Sequence, residues 1–333
     1  KIKIELPMRI AIDAMGGEGG VALNVPASIA ALEAIDDLAL VLVGHESLIQ
    51  PHLQGIDSNI LDRIELLHTD VAISDEERPV QVIRGDKRSS IYLAVELAEK
   101  GSVQAMVSAG NTGALLMAGR HLLKTIPGIQ KPAIVATLPG LSKPTYLLDV
   151  GANPDCTQQQ LFEFAVMGSV LAESINGHPA KVGLLNIGSE RHKGTGEVKG
   201  AAEMLHGCAA INYLGFVEAN DLFRGKADVV VCDGFVGNVT IKSSAGVANV
   251  VNDLLTSMGS DRNDELIDQI REQINPQRFN GAILLGLQGS IVKSHGNATL
   301  EGFCYAIYQA VKEVEQNVPH LIAKKVAAIM GST

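Results

Sequence analysis

Short apolar runs alternate along the chain with longer segments in which apolar positions recur every three or four residues. The runs at Arg9 to Ala14, Leu38 to Gly44, Ile64 to His68, Ala105 to Ser108, Ala133 to Leu138, Leu147 to Val150, Lys181 to Asn186, Asn212 to Phe216 and Val229 to Asp233 predict strands. Helical spacing between them predicts helices over Val25 to Ala34, Ser90 to Lys100, Ala114 to Lys124 and Gln158 to Glu173. Thr299 to Gln316 and Leu321 to Met330 predict two closing helices. Strands alternating with helices imply an α/β protein with a mostly parallel sheet. No internal repeat or low-complexity linker divides it, and the Pro/Gly-rich stretch from Ile126 to Pro144 is a candidate crossover between lobes. The expected organisation is one domain over residues 8–330, built as two lobes around a cleft, with residues 1–7 an extension ahead of a native start at Met8.

Parallel sheets bind ligands beyond the carboxyl ends of their strands, where the free N–H groups of the next helix favour an anion. Two junctions have that form. Val230-Val231-Cys232-Asp233-Gly234 leads from an apolar strand through an Asp-Gly turn into Gly237-Asn238, and Ala105-Met106-Val107-Ser108-Ala109-Gly110 leads into Asn111-Thr112-Gly113. The second offers an amide, a hydroxyl and helix N–H groups to an oxyanion, although an ordinary helix cap accounts for the same residues. Gly17-Glu18-Gly19-Gly20-Val21-Ala22 matches the dinucleotide pattern G-x-G-x-x-A, but the preceding strand ends in Asp13-Ala14-Met15 instead of running into the first glycine. A glycine turn that lets backbone approach a phosphate fits equally.

Basic residues stand at two further places. Arg84, Lys87 and Arg88, with Ser89 and Ser90, precede a predicted helix and suit a phosphate or an acidic partner, or a solvated turn. Arg191, His192 and Lys193 lie in a Gly-rich loop after the strand at Val182 to Asn186, and His295 stands in Lys293-Ser294-His295-Gly296.

Composition removes several classes. The 333 residues carry a net charge of -10, no Trp and few aromatics, which argues against general nucleic-acid binding. Cys156, Cys208, Cys232 and Cys304 form no C-x-x-C pair, so neither a zinc site nor a disulfide framework is expected, and a reduced cytosolic protein is the simpler reading. There is no run of membrane-spanning length, no H-E-x-x-H, no P-loop and no G-x-S-x-G.

Taken in order, Asp13-Ala14-Met15-Gly16-Gly17, Ser108-Ala109-Gly110-Asn111-Thr112-Gly113-Ala114, Leu148-Asp149-Val150-Gly151-Ala152-Asn153, Gly183-Leu184-Leu185-Asn186-Ile187-Gly188, Asp233-Gly234-Phe235-Val236-Gly237-Asn238 and His295-Gly296 resemble the PlsX family of bacterial acyl-acyl-carrier-protein:phosphate acyltransferases. The resemblance runs from Met8 to about Ala328. It implies an isocitrate/isopropylmalate-dehydrogenase-like α/β/α fold and a homodimer. The implied reaction transfers a fatty acyl chain from acyl carrier protein to inorganic phosphate, giving acyl phosphate for phospholipid synthesis. It further implies a cytoplasmic enzyme with peripheral contact at the inner face of the cell membrane, serving a downstream glycerol-3-phosphate acyltransferase. No metal or cofactor is called for, since phosphate is already an anionic nucleophile and a thiolate is a fair leaving group.

By position in the family's motifs, Lys193 and Asn238 match its catalytic residues. Asp13, Gly16, Gly17, Asn111, Thr112, Gly113, Asp233, Gly234, Gly237 and His295 become the expected phosphate and substrate set, and Arg84, Lys87 and Arg88 the expected carrier-protein contact, with Arg262, Arg271 and Arg278 the alternative set of cations. Two places depart from the family: Glu18-Gly19-Gly20 replaces an Asp and a Pro-containing loop, and the stretch around Ser257 to Asp261 is shorter than the family's helical hairpin. Competing readings are a phosphotransacetylase-like enzyme using acyl-CoA, a nicotinamide-dependent dehydrogenase resting on the glycine match, and a noncatalytic scaffold.

Overall fold

The computed structural model describes residues 7–258, 269–270, 272 and 275–330. Residues 1–6 of the extension expected at 1–7, and Gly259 to Asp261 of the stretch around Ser257 to Asp261, lie outside the described residues, as do Arg262 and Arg271.

The chain divides into two compact units, residues 1–127 with 280–323 and residues 128–279 with 324–333. In the first unit β1 (Met8–Asp13), β2 (Leu38–Gly44), β3 (Ile64–His68), β4 (Ala105–Ser108), β10 (Ala282–Leu285) and β11 (Ser290–Lys293) lie in the order β3-β2-β1-β4-β11-β10. Every pairing there is parallel except that of β10 with β11. In the second unit β5 (Ala133–Leu138), β6 (Thr145–Leu148), β7 (Lys181–Leu185), β8 (Asn212–Val217) and β9 (Val229–Val231) lie in the order β5-β6-β9-β7-β8, with only β5 and β6 antiparallel. The mostly parallel α/β architecture is the one the alternating pattern predicts.

The helices are α1 (Gly20–Ala34), α2 (Glu46–Leu53), α3 (Ser58–Leu61), α4 (Gln81–Arg84), α5 (Ser90–Glu99), α6 (Thr112–Leu122), α7 (Gln158–Asn176), α8 (Gly196–Gly207), α9 (Gly234–Met258), α10 (Leu300–Gln316) and α11 (Val318–Met330). In the first unit Ile10, Ile12, Leu40, Leu42, Val107 and Val292 pack with Val25, Ala31 and Leu32 of α1 and with Phe303, Ile307 and Ala310 of α10. Removing each large aliphatic side chain from water contributes roughly 1.5–3 kcal/mol against the entropy of ordering the chain. In the second unit α7 begins with a reciprocal cap between Thr157 and Gln160 and stops at Gly177, whose φ of 70° a residue with a Cβ rarely adopts.

Two details differ from the sequence expectation. No strand was expected between Ala282 and Lys293, yet β10 and β11 form there; only residues 286–289 separate them, so the strand–helix alternation that marks the equally short β4 is missing. The strand expected at Leu147 to Val150 begins at Thr145 and ends at Leu148, because Asp149 turns the chain out of the sheet. Among the described residues no helix is long and apolar enough to cross a membrane, and no group of three or more His, Cys, Asp or Glu could hold a metal ion.

Candidate active site

In the first unit the carboxyl ends of β1, β4 and β11, which are neighbours in the sheet, carry most of the polar groups picked out by sequence. Asp13 ends β1 fully buried. Its carboxylate accepts hydrogen bonds from Ser108 Oγ at 2.6 Å and from the Met15 N–H at 3.2 Å. Burial pushes its pKa up, against hydrogen bonds from Ser108, Ser90 and the Met15 and Gly16 main chain that favour the charged form. Gly16 and Gly17 follow in tight backbone contact: a Cβ on Gly16 would stand 2.6 Å from the Gly110 nitrogen, and one on Gly17 would stand 2.9 Å from the Gly296 oxygen. Gly17 also has a φ of 79°. Glu18 N–H donates to the Gly296 carbonyl at 2.8 Å, tying the loop after β1 to the turn after β11.

The Asn111 side chain is not free to meet an oxyanion. Its Oδ1 caps α6 by accepting from the Ala114 N–H at 3.0 Å, while its Nδ2 faces the carbonyls of Ser74, Asp75 and Glu77 at 3.1–3.4 Å. Asn111 therefore pins the loop after β3 to the start of α6, and what the junction keeps for an anion is the main-chain N–H of Thr112 and Gly113. Pro79 of that loop packs so closely on Gly113 that a Cβ there would stand 2.5 Å from its Cγ. His295 reaches solvent, and the protein atoms around its ring together with the Lys293 charge lower its pKa.

In the second unit the ends of β6, β9 and β7 converge in the same way, and these three strands are also neighbours. Asp149, fully buried after β6, accepts from the N–H groups of Ile134, Gly151, Ala152 and Asn153 and from Asn153 Nδ2, at 2.7–3.2 Å. Burial still raises its pKa above the usual carboxylate value. Asp233, after β9, accepts from the Val236 N–H at 2.8 Å and so caps the first turn of α9. Gly234 N–H donates to Asn153 O at 2.8 Å. Asn238 then lies over Gly151, where a Cβ would meet its Oδ1 at 3.8 Å.

Lys193 lies in the loop after β7, beside β9 in the sheet. Its ammonium pairs with Glu190 at 2.9 Å and is partly open to solvent, and this partner lowers the Glu190 pKa. Asn186 Nδ2 donates to the Lys193 carbonyl at 3.2 Å, and Gly194 has a φ of 95° that directs the chain into Thr195, the cap of α8. The expected catalytic pair thus occupies the carboxyl edges of two adjacent parallel strands. Cys232, at the end of β9, is buried with its thiol pKa pushed well up by burial and by the nearby Asp233 and Asp149 carboxylates.

Arg84, Lys87 and Arg88 are exposed around the turn between α4 and α5, where Ser89 caps α5 by accepting from the Tyr92 N–H at 3.3 Å. Sequence reasoning assigned no role to Asp149 or Lys293. Each is a single charged residue closing an apolar strand, Tyr146-Leu147-Leu148 and Ile291-Val292, and that is the signal that could have marked them.

A family model described as "Fatty acid synthesis protein" matches residues 8–321. The phosphate acyltransferase of Halorhodospira halophila is 44% identical over 333 residues, covering 97% of each chain. That of Pseudomonas syringae is 47% identical over 319 residues, covering 93% of this chain and 94% of its own. Among solved structures a phosphotransacetylase from Streptococcus pyogenes superimposes with a TM-score of 0.65 at 17% identity, over 92% of this chain and 94% of its own, a likeness of fold.

Proposed function

Because this chain belongs to the fatty acid synthesis protein family, the PlsX family, and is an acyltransferase whose acyl acceptor is phosphate, we propose that its donor is a fatty acyl thioester of acyl carrier protein. The identity to phosphate acyltransferases over 97% of the chain carries the reading. A phosphate oxygen attacks the thioester carbonyl, the C–S bond breaks as the acyl–O–P bond is completed, and the proton of the hydrogen phosphate passes to the departing thiolate. Acyl phosphate and carrier-protein thiol result. Neither a serine triad nor a metal is required for this step.

In this reading Lys193 leaves Glu190 to neutralise charge on phosphate or on the developing oxyanion, and Asn238 donates to the thioester oxygen. The N–H groups at Thr112, Gly113 and Gly17 orient the nucleophile, Gly16 keeps the backbone close to it with its own N–H on Asp13, and Asp13 and Asp149 hold the loops. Asp233, Gly234 and Gly237 set the first turn of α9, and His295 contributes to phosphate binding.

The enzyme acts as a homodimer. Val247, Val250, Val251 and Leu254 are all exposed on α9, at spacings of three and four residues that place them on one stripe suited to a second copy. A monomer mass by light scattering at micromolar concentration would count against this. The acyl phosphate passes to a glycerol-3-phosphate acyltransferase at the inner face of the cell membrane, with which co-sedimentation on vesicles can be measured.

The test is thiol release from acyl carrier protein thioesters with and without phosphate, the product being trapped by hydroxylamine as a hydroxamate. Release independent of phosphate would make the protein a hydrolase. Faster turnover with acyl-CoA than with the carrier-protein thioester would favour the phosphotransacetylase-like alternative, which the shared fold also accommodates.

A further inference from the structure

Lys293 closes β11 among the groups gathered in the first unit. Its ammonium donates to the Ala109 carbonyl at 3.1 Å and to the Ser294 carbonyl, which uses two of its three protons. These carbonyls belong to the turn before α6 and to the turn before Gly296. Asn280 holds the second turn from below: its Nδ2 donates to Ser294 Oγ at 2.8 Å, and its Oδ1 accepts from the His295 N–H at 3.0 Å. The lysine is thus fixed where the loops after β1, β4 and β11 meet.

The charges facing it do not satisfy it. Asp13 from β1 and Asp75 from the loop after β3 attract the ammonium, His295 lies beside it on its own segment, and β4 presents only the neutral Ser108 and the Ala109 carbonyl. Asp13 is already engaged by Ser108 and main-chain N–H groups. Loss of water outweighs both carboxylates, so the Lys293 pKa falls to about 8. A lysine fully matched by its carboxylates would not be depressed in this way. The ammonium keeps one proton that no hydrogen bond among the described residues takes up, and a Cβ at the adjoining Gly296 would stand 3.8 Å from the Ala109 oxygen and 3.9 Å from Asp75 Oδ2, so an anion there is drawn by Lys293 against the Asp75 charge.

We propose that Lys293 binds the phosphate acceptor, its third ammonium proton directed to a phosphate oxygen beside the Gly17 and Gly296 backbones. This rests on the acyl-transfer reading above. It assigns acceptor affinity to a residue outside the matched pair Lys193 and Asn238, and it makes that affinity sensitive to pH. The ammonium is present below about pH 8 and lost as pH rises through that value, so phosphate binds more weakly at pH 9 than at pH 7. Near pH 8, binding draws a proton onto Lys293.

The test uses the full chain and inorganic phosphate. Calorimetry without acyl donor, in buffers of different ionisation enthalpy, should show proton uptake at pH 8 and weaker phosphate binding at pH 9. Lys293→Met should raise the phosphate KM by about tenfold or more, as expected for loss of a charge-assisted hydrogen bond, with the donor KM little changed. Lys293→Arg should restore most of the affinity at pH 7 and abolish the weakening through pH 8, since a guanidinium stays charged. The proposal is overturned if Lys293→Met leaves the phosphate KM unchanged. It is equally overturned if Lys293→Met raises both KM values with a lowered melting temperature, which is the mark of a latch alone. Should Lys293→Met fail to fold, the wild-type and Lys293→Arg calorimetry decides: equal alkaline weakening in both rules out the assignment. Phosphate binding without phosphate-dependent thiol release would refute the acyl-transfer reading while leaving the Lys293 assignment standing.

Discussion

A Cβ on Gly237 would collide with the main-chain oxygen of Asp149, so the first turn of α9 and the loop that closes β6 meet backbone to backbone. That contact sets Asn238, one residue on, against Gly151. The requirement at Gly237 is one of space and not of backbone angle, because it sits within a helix. Gly237→Ala must push α9 away from the Asp149 loop. We expect it to lower turnover by about a hundredfold or more through a displaced Asn238, and to lower the melting temperature through overpacking that costs roughly 1–3 kcal/mol. Thermal melts and steady-state rates on one preparation check both, and unchanged turnover would show that Asn238 does not need this placement.

Lys193→Ala and Asn238→Ala should each reduce turnover by about a hundredfold or more with little change in melting temperature, as expected when one preorganised charge or donor is lost. Lys193 is partly exposed and Asn238 is half-buried near the start of α9, so neither supports the core. Cys232→Ser is the contrasting case. Its thiol is held protonated by burial and by two carboxylates, a poor nucleophile, so that variant should keep most of its activity. Mass spectrometry after rapid quenching should find no acyl group on the protein; a stoichiometric acyl-Cys232 adduct would require a two-step mechanism.

How far the sequence carried these assignments depends on length and context. β1, β2 and β4 were legible because each is an unbroken apolar run ended by a polar residue or a glycine. β10 and β11 were not, since only the four residues 286–289 separate them and no helical segment sets them off as one sets off β4, which is equally short. Lys293 consequently had no strand to close and no role was assigned to it. Asn111 was recognised as belonging to a strand-to-helix junction, but the fate of its amide depends on Ser74, Asp75 and Glu77, more than thirty residues away in a loop without a pattern. Tertiary partners decide what a polar side chain is free to do, and local sequence does not display them.

Glu313 on α10 is a buried carboxyl with one oxygen lacking any hydrogen-bond partner, and burial pushes its pKa up to about 8 from an ordinary 4.5. The folded chain therefore keeps a proton that the unfolded chain releases above about pH 4.5. Its folded-state pKa is raised, so the associated stability is full below pH 4.5 and is lost as pH rises to about 8. Each pH unit in that window costs at most about 1.4 kcal/mol. Glu313→Gln removes the titration. It should melt above the wild type at pH 8, and the gap should narrow at pH 5; parallel melting curves across that range would show that Glu313 ionises normally.

Carrier-protein docking should depend on Arg84, Lys87 and Arg88. Acyl carrier proteins are acidic, so a chain of net charge -10 needs a local cationic patch to receive one. These three side chains are exposed around one turn, tempered by Asp86, whose carboxylate accepts the Arg88 N–H at 3.1 Å. Of the other cations considered, Arg278 is already paired with Glu272 at 3.1 Å. Complementary surface charges act mainly on association rate and are screened over about 8 Å at physiological salt. Raising salt from about 0.05 to 0.3 M should therefore lower kcat/KM for the carrier-protein thioester severalfold, with kcat nearly constant. Arg84→Glu/Lys87→Glu should impose a comparable loss at low salt and flatten the salt dependence, while a minimal thioester, too small to span the patch, is used as before. Equal losses with both donors would move these residues from docking to phosphate binding, and a salt-independent rate would remove electrostatic docking altogether.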